Sequence, residues 1–247
     1  MRERRFQIEN EWCMVHYPEK PNGFAVMILG DFNHYVDEIS SFWMQHETRK
    51  KIIEELNANG YLVCYSNLYG CHWGHEKAVR LAKRVYHYII RNEILNDRIH
   101  ILADGMGALV AEKLVPLLNE KIRSMVLYSP CISIPMHLEH EHEQKFFYKK
   151  ILHELAKVYE KSVEECEREF NIADTEAYFI AKTDIPICII QWIGSNRYKS
   201  QFHLIKDIYV ERMGNSRRVE LNYLVPEKNR TVSNKLILFY RKEEKIL

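Results

Sequence analysis

Short apolar runs and amphipathic stretches alternate along most of this chain of 247 residues. Phe24-Ala-Val-Met-Ile-Leu29 is closed by Gly30 and reads as a buried strand. Arg49 to Asn59 reads as a helix with Ile52, Ile53 and Leu56 on one face and Gly60 as its stop. Tyr61 to Tyr65 is the next strand. Ala78, Leu81, Ala82, Val85, Tyr86, Ile89 and Ile90 then recur at helical spacing. Arg98 to Ala103, Ser124 to Tyr128 and Pro186 to Ile193 continue the strands. Helices at Ala108 to Leu118 and Ser200 to Met213, a strand at Val219 to Val225 and a helix from Thr231 complete the series. Strands that alternate with helices at this spacing imply a mostly parallel central sheet with helices on both faces, the α/β class. Right-handed crossovers constrain the order of its strands.

One stretch breaks the rhythm. From Met136 to Lys182 the chain is charged and helical, with a capping box at Ser162 and Glu165. The expected organisation is a core made of residues 1–135 and 183–247, with a helical cap insertion at 136–182. A net charge of +1 argues against a broad nucleic-acid footprint. No apolar run approaches the ~18 residues of a membrane span, and no apolar stretch follows the charged N-terminus. The six cysteines form no CxxC pair. A reduced, cytoplasmic protein is expected, with no cofactor and no metal.

Open α/β sheets carry their sites at the carboxyl ends of the strands. There the sharpest segment is Leu102-Ala-Asp-Gly-Met-Gly-Ala-Leu-Val110, a strand that enters a helix through small residues at Ala103 and Gly107. It resembles the nucleophile elbow of the α/β-hydrolase superfamily, normally G-x-S-x-G. Asn67-Leu-Tyr-Gly-Cys-His-Trp-Gly74 is similar to the D-L-x-G-H-G-x-S loop of that superfamily. Residues 24–30 correspond to the strand before the oxyanion loop, and Ile122 to Pro130 to the sixth strand. The resemblance is strongest to the serine-aminopeptidase-like and monoacylglycerol-lipase-like branch, which often reads H-S-M-G-G where this chain reads Asp104-Gly105-Met106-Gly107-Ala108.

The resemblance places the catalytic groups at positions that lack them. Gly105 stands at the nucleophile position, and glycine cannot form an acyl-enzyme. The acid position falls at Asn196, within Ile193-Gly194-Ser195-Asn196-Arg197, and the histidine position at Asn229. The oxyanion loop reads Leu29-Gly30-Asp31, and a carboxylate there would repel a developing oxyanion. The resemblance therefore implies a catalytically degenerate protein, a pseudoenzyme that binds a small molecule or a protein partner. Its pocket would draw on Gly30, Asp31, Phe32, His72, Asp104, Gly105, Met106, Cys131, Ser195 and Asn196. The competing reading is an esterase, peptidase or acyltransferase with relocated catalytic residues.

Individual residues admit two readings each. Asp104 is a nucleophile if the elbow shifts by one residue, or else a solvated or capping carboxylate at a helix N-terminus. Cys71 and His72 form a nucleophilic pair, or His72 is a structural loop histidine. Cys131 is a reactive thiol or a buried, pocket-lining one. His137, His140 and His142 are a solvated entry to the cap or an adventitious metal site, since their spacing does not match H-E-x-x-H. The apolar positions of the insertion, including Phe146, Phe147, Ile151 and Leu155, belong to a lid or to a partner surface.

Overall fold

The computed structural model describes residues 2–170, 178–194, 197–225 and 231–244. Its centre is a sheet of eight strands: β1 (Arg2–Ile8), β2 (Glu11–Tyr17), β3 (Ala25–Leu29), β4 (Leu62–Ser66), β5 (Ile99–Asp104), β6 (Ile122–Tyr128), β7 (Ile187–Trp192) and β8 (Val219–Leu224). Their order is β1-β2-β4-β3-β5-β6-β7-β8. From β4 to β8 all neighbours are parallel, while β2 runs antiparallel to both β1 and β4. Every residue of β3, β4, β5 and β6 is buried. Strands covered on both faces read as continuous apolar runs, so they were visible in the sequence.

The β1–β2 hairpin was not. Its strands carry Arg2, Glu3, Arg4, Arg5 and Glu11 and are only partly buried at β1. The turn is Glu9-Asn10, with both residues at positive φ, 53° and 64°. That backbone suits the twist of a two-residue hairpin, but Glu-Asn is not one of the pairs that signal it.

The helices divide between two faces. On one lie α3 (Glu76–Asn92), α4 (Gly107–Leu118), α8 (Phe179–Lys182) and α9 (Phe202–Gly214), packed on Met27, Ile101, Met125 and Ile189. On the other lie α1 (Phe42–Gln45), α2 (Glu47–Ala58) and α10 (Val232–Glu243), packed on Val26, Leu102, Val126 and Ile190. The alternation of successive side chains between sheet faces makes this division. Each fully buried Leu, Ile or Val side chain contributes about 1.5–3 kcal/mol relative to exposure.

Between β6 and α8 stand α5 (Ile134–Glu141), α6 (Lys145–Tyr159) and α7 (Val163–Phe170). The Ser162–Glu165 capping box at α7 is formed reciprocally: the Glu165 N–H donates to Ser162 Oγ and the Ser162 N–H to the Glu165 carboxylate. Leu138, Ile151, Leu152 and Leu155 bury themselves with Trp73, Met106, Cys131 and Tyr198 in a third apolar cluster. Met106 and Cys131 join that cluster to the carboxyl ends of β5 and β6. Among the described residues, no helix is long and apolar enough to cross a membrane.

Candidate functional site

The turn from β5 into α4 runs through Gly105 and Met106. Gly105 holds φ at +55°, a left-handed conformation. Its N–H donates to the Tyr128 carbonyl at 3.0 Å, and its carbonyl accepts from the Cys131 N–H at 2.9 Å. Two residues on, a Cβ at Gly107 would lie 2.1 Å from the Leu29 carbonyl oxygen. The small residue there lets the start of α4 approach the end of β3.

Gly105 has a different constraint. A Cβ on it would lie 2.2 Å from Asp31 Cγ and 2.4 Å from both carboxylate oxygens. Asp31, from the loop after β3, thus fills the space that a side chain at residue 105 would need. Its Oδ1 accepts hydrogen bonds from the Met106 N–H at 2.9 Å and the Tyr198 hydroxyl at 2.7 Å. The Asp31 N–H donates to His34 Nδ1 at 2.9 Å. That bond leaves the neutral ring of His34 with its proton on Nε2. Burial first, and then the nearby Arg49, hold the His34 pKa far below the ordinary histidine value.

Asp104 is neither solvated nor a helix cap, contrary to the sequence reading. It is buried and ion-paired with Arg49 at 2.7 Å. The Arg49 guanidinium lies 4.5 Å from the centre of the Tyr128 ring and 5.6 Å from that of Trp43. Burial pushes the Asp104 carboxyl up to about 7; Arg49 opposes the shift and Asp31 adds to it. A carboxylate spent on a buried guanidinium does not present itself as a nucleophile.

Asp31, Asp104 and Gly105 come together in one cleft of about 330 Å³, which Arg49, His46, Ser129, Arg197 and Tyr198 also line. Ser129, at φ +42°, has a buried hydroxyl with no hydrogen-bond partner among the described residues. Phe32 and His72 line a different cleft, of about 460 Å³, together with Cys71. Gly30, Met106 and Cys131, expected at the pocket, do not line the cleft over Gly105, and Met106 and Cys131 are fully buried. Ser195, Asn196 and Asn229 lie outside the described residues.

His72 donates from Nε2 to the Gly30 carbonyl at 3.0 Å and accepts the Gly74 N–H at Nδ1. It ties two loops together and is not joined to Cys71. The Cys71 thiol instead donates to Glu154 at 3.4 Å, a carboxylate that also accepts from Trp73 Nε1. Burial, followed by the Glu154 charge, pushes the thiol up to about 12. Cys131 is likewise raised, by burial. His137 is 1% exposed, so the solvated reading fails for it. Among the described residues, no three His, Cys, Asp or Glu side chains are placed to hold a metal.

Arg49, His34, Arg197, Tyr198 and Glu154 were not singled out from the sequence. Arg49 looked like an ordinary charge in the first turns of a helix. Arg197 ends the segment assigned to the acid and Tyr198 directly follows it, and that placement was the available signal.

No protein-family model matches the chain, and no curated protein sequence matches it. Solved structures do. Est1E from Butyrivibrio proteoclasticus superposes with a TM-score of 0.66 at 11% identity, over 98% of each chain. A carboxyl esterase from Bacillus coagulans gives 0.61 at 13% identity, again over 98% of each. An acylaminoacyl peptidase from Pyrococcus horikoshii gives 0.66 at 11% identity; all of this chain spans 42% of that one. The chain has the α/β-hydrolase fold. The Met106 N–H, next after Gly105 in the turn from β5 into α4, is engaged by Asp31.

Proposed function

We propose that this α/β-hydrolase-fold protein binds a ligand or partner over its elbow without hydrolysing it. One observation carries the proposal: the Asp31 carboxylate occupies the space of a side chain on residue 105 and takes the Met106 N–H. An acyl-transfer site needs a nucleophile at that point and free donors for the oxyanion. The carboxylate takes up the Met106 donor and repels a developing oxyanion, and Gly105 has no side chain to acylate. The glycine and the aspartate support each other, because no other residue fits at 105 while Asp31 stays. The helices α5 to α7 act in this reading as a cap over the strand ends, and the cleft lined by Arg49 and Arg197 takes the bound group.

The second reading, an esterase, peptidase or acyltransferase with relocated residues, is favoured by the solved esterases and peptidase of the same fold. It also draws on Asp31, Ser129 and His46 lining one cleft. Against it, the Ser129 hydroxyl has no partner among the described residues to activate it. The two readings separate in a panel of short acyl esters and peptide amides run beside a thermal-shift screen of acyl and aromatic metabolites. A binder at 100 times its Kd raises stability by about 2.7 kcal/mol. The proposal expects shifts without turnover. Turnover lost on Ser129→Ala or Asp31→Asn would establish the relocated enzyme instead.

A further inference from the structure

A third cleft lies between α5, α6 and the residues that follow β7. Its volume is about 430 Å³, within the range of small-molecule sites. His137 of α5 lines it and is 1% exposed. Both its ring nitrogens are buried with no hydrogen-bond partner among the described residues. The ring is held between Trp73, at 5.7 Å, and Tyr198, at 5.3 Å. A buried polar atom left unpaired costs about 1–3 kcal/mol, so such a group points to a missing partner. Burial first, then Arg197, lowers the His137 pKa to about 4. At neutral pH the ring therefore offers one N–H donor and one acceptor.

Three cations line the same cleft: Lys150, Arg197 and Lys199. Arg197 is stacked over Phe32 at 4.7 Å, which limits its motion, and Lys150 lies 5.9 Å from the same ring. Two carboxylates also border the cleft. Glu154 is engaged by Cys71 and Trp73 and lies 3.8 Å from Arg197, which leaves Glu141 to set against the two lysines. Phe147 and Ile151 supply an apolar wall.

We propose that this cleft is a binding site for a small organic anion. An oxyanion head, phosphate or carboxylate, sits among Lys150, Arg197 and Lys199; an apolar body lies along Phe147 and Ile151; a polar group of the ligand meets His137. The site shares Arg197 with the cleft over Gly105, whereas His137, Lys150 and Lys199 line it and not that cleft.

The test is calorimetric titration of the full chain with phenyl phosphate and phenylacetate, with benzyl alcohol as the neutral control. Expected is saturable one-site binding of at least one anion, at least tenfold tighter than the alcohol. The affinity should fall tenfold or more in Lys150→Gln/Lys199→Gln, whose side chains are exposed, and in His137→Phe. Whichever anion binds identifies the head group. The Lys50→Gln/Lys51→Gln variant, which removes the same charge from the exposed face of α2, should bind as the native protein does. Failure of both anions to bind, or an affinity no better than that of benzyl alcohol, would overturn the proposal. So would binding that survives the double lysine change.

Discussion

Gly105→Ala should be severely destabilising in the native protein and mild once Asp31 is gone. Two costs act in the native background. Holding a residue with a Cβ at φ +55° costs about 1–2 kcal/mol. The new Cβ, 2.2 Å from Asp31 Cγ, also expels the carboxylate from its bonds to the Met106 N–H and the Tyr198 hydroxyl. Each bond to a charged group contributes about 1.5–3 kcal/mol, so the total loss is about 4–8 kcal/mol. In an Asp31→Gly background only the backbone cost remains, about 1–2 kcal/mol. Urea unfolding of the four proteins closes the double-mutant cycle, with an expected coupling of at least about 3 kcal/mol. Equal effects of Gly105→Ala in both backgrounds would refute the claim that Asp31 fills the side-chain space of residue 105.

Other expectations concern the neighbours of that carboxylate. Arg49→Met leaves Asp104 buried without its partner and should cost about 3–5 kcal/mol in chemical unfolding, with Asp104→Asn restoring much of the loss. Asp104 binds its proton more tightly folded, near 7, than unfolded, near 3.9, so its contribution to stability falls as pH rises from about 4 to about 7. His34, His16 and His137, with lowered pKa values, act in the opposite sense by losing stability as pH falls below about 6.5. The Asp104 part is therefore read as the native-minus-Asp104→Asn difference, which should decline across that window; a flat difference contradicts the assignment. Cys71, pushed up to about 12, should alkylate with iodoacetamide at pH 8 far more slowly than free cysteine, and Glu154→Gln should quicken it.

The sheet was legible because its central strands are buried on both faces, and α3 because Ala78, Leu81, Ala82, Val85, Tyr86 and Ile89 all turn to the core. The charged β1 strand hid itself, since a partly exposed strand bears polar residues on most positions. At the site, the resemblance to the hydrolase motifs set Gly105 at the elbow and Asp31 in the oxyanion loop as departures from the pattern. It did not show that these are one feature, because a contact across 74 residues of chain depends on how α4 meets the end of β3. Asp104 and His137 were misread for the same reason. A charge or a histidine near a helix is usually solvated, and only the packing of Arg49 on one, and of Trp73 and Tyr198 on the other, places them inside.

The central claim is that the elbow holds a resident carboxylate in place of an acylating group. Intact-protein mass spectrometry after incubation with a fluorophosphonate tests it most directly, followed by peptide mapping. The account predicts an unmodified mass for the native chain. A stoichiometric adduct on Ser129, or on any residue lining the cleft over Gly105, would contradict it.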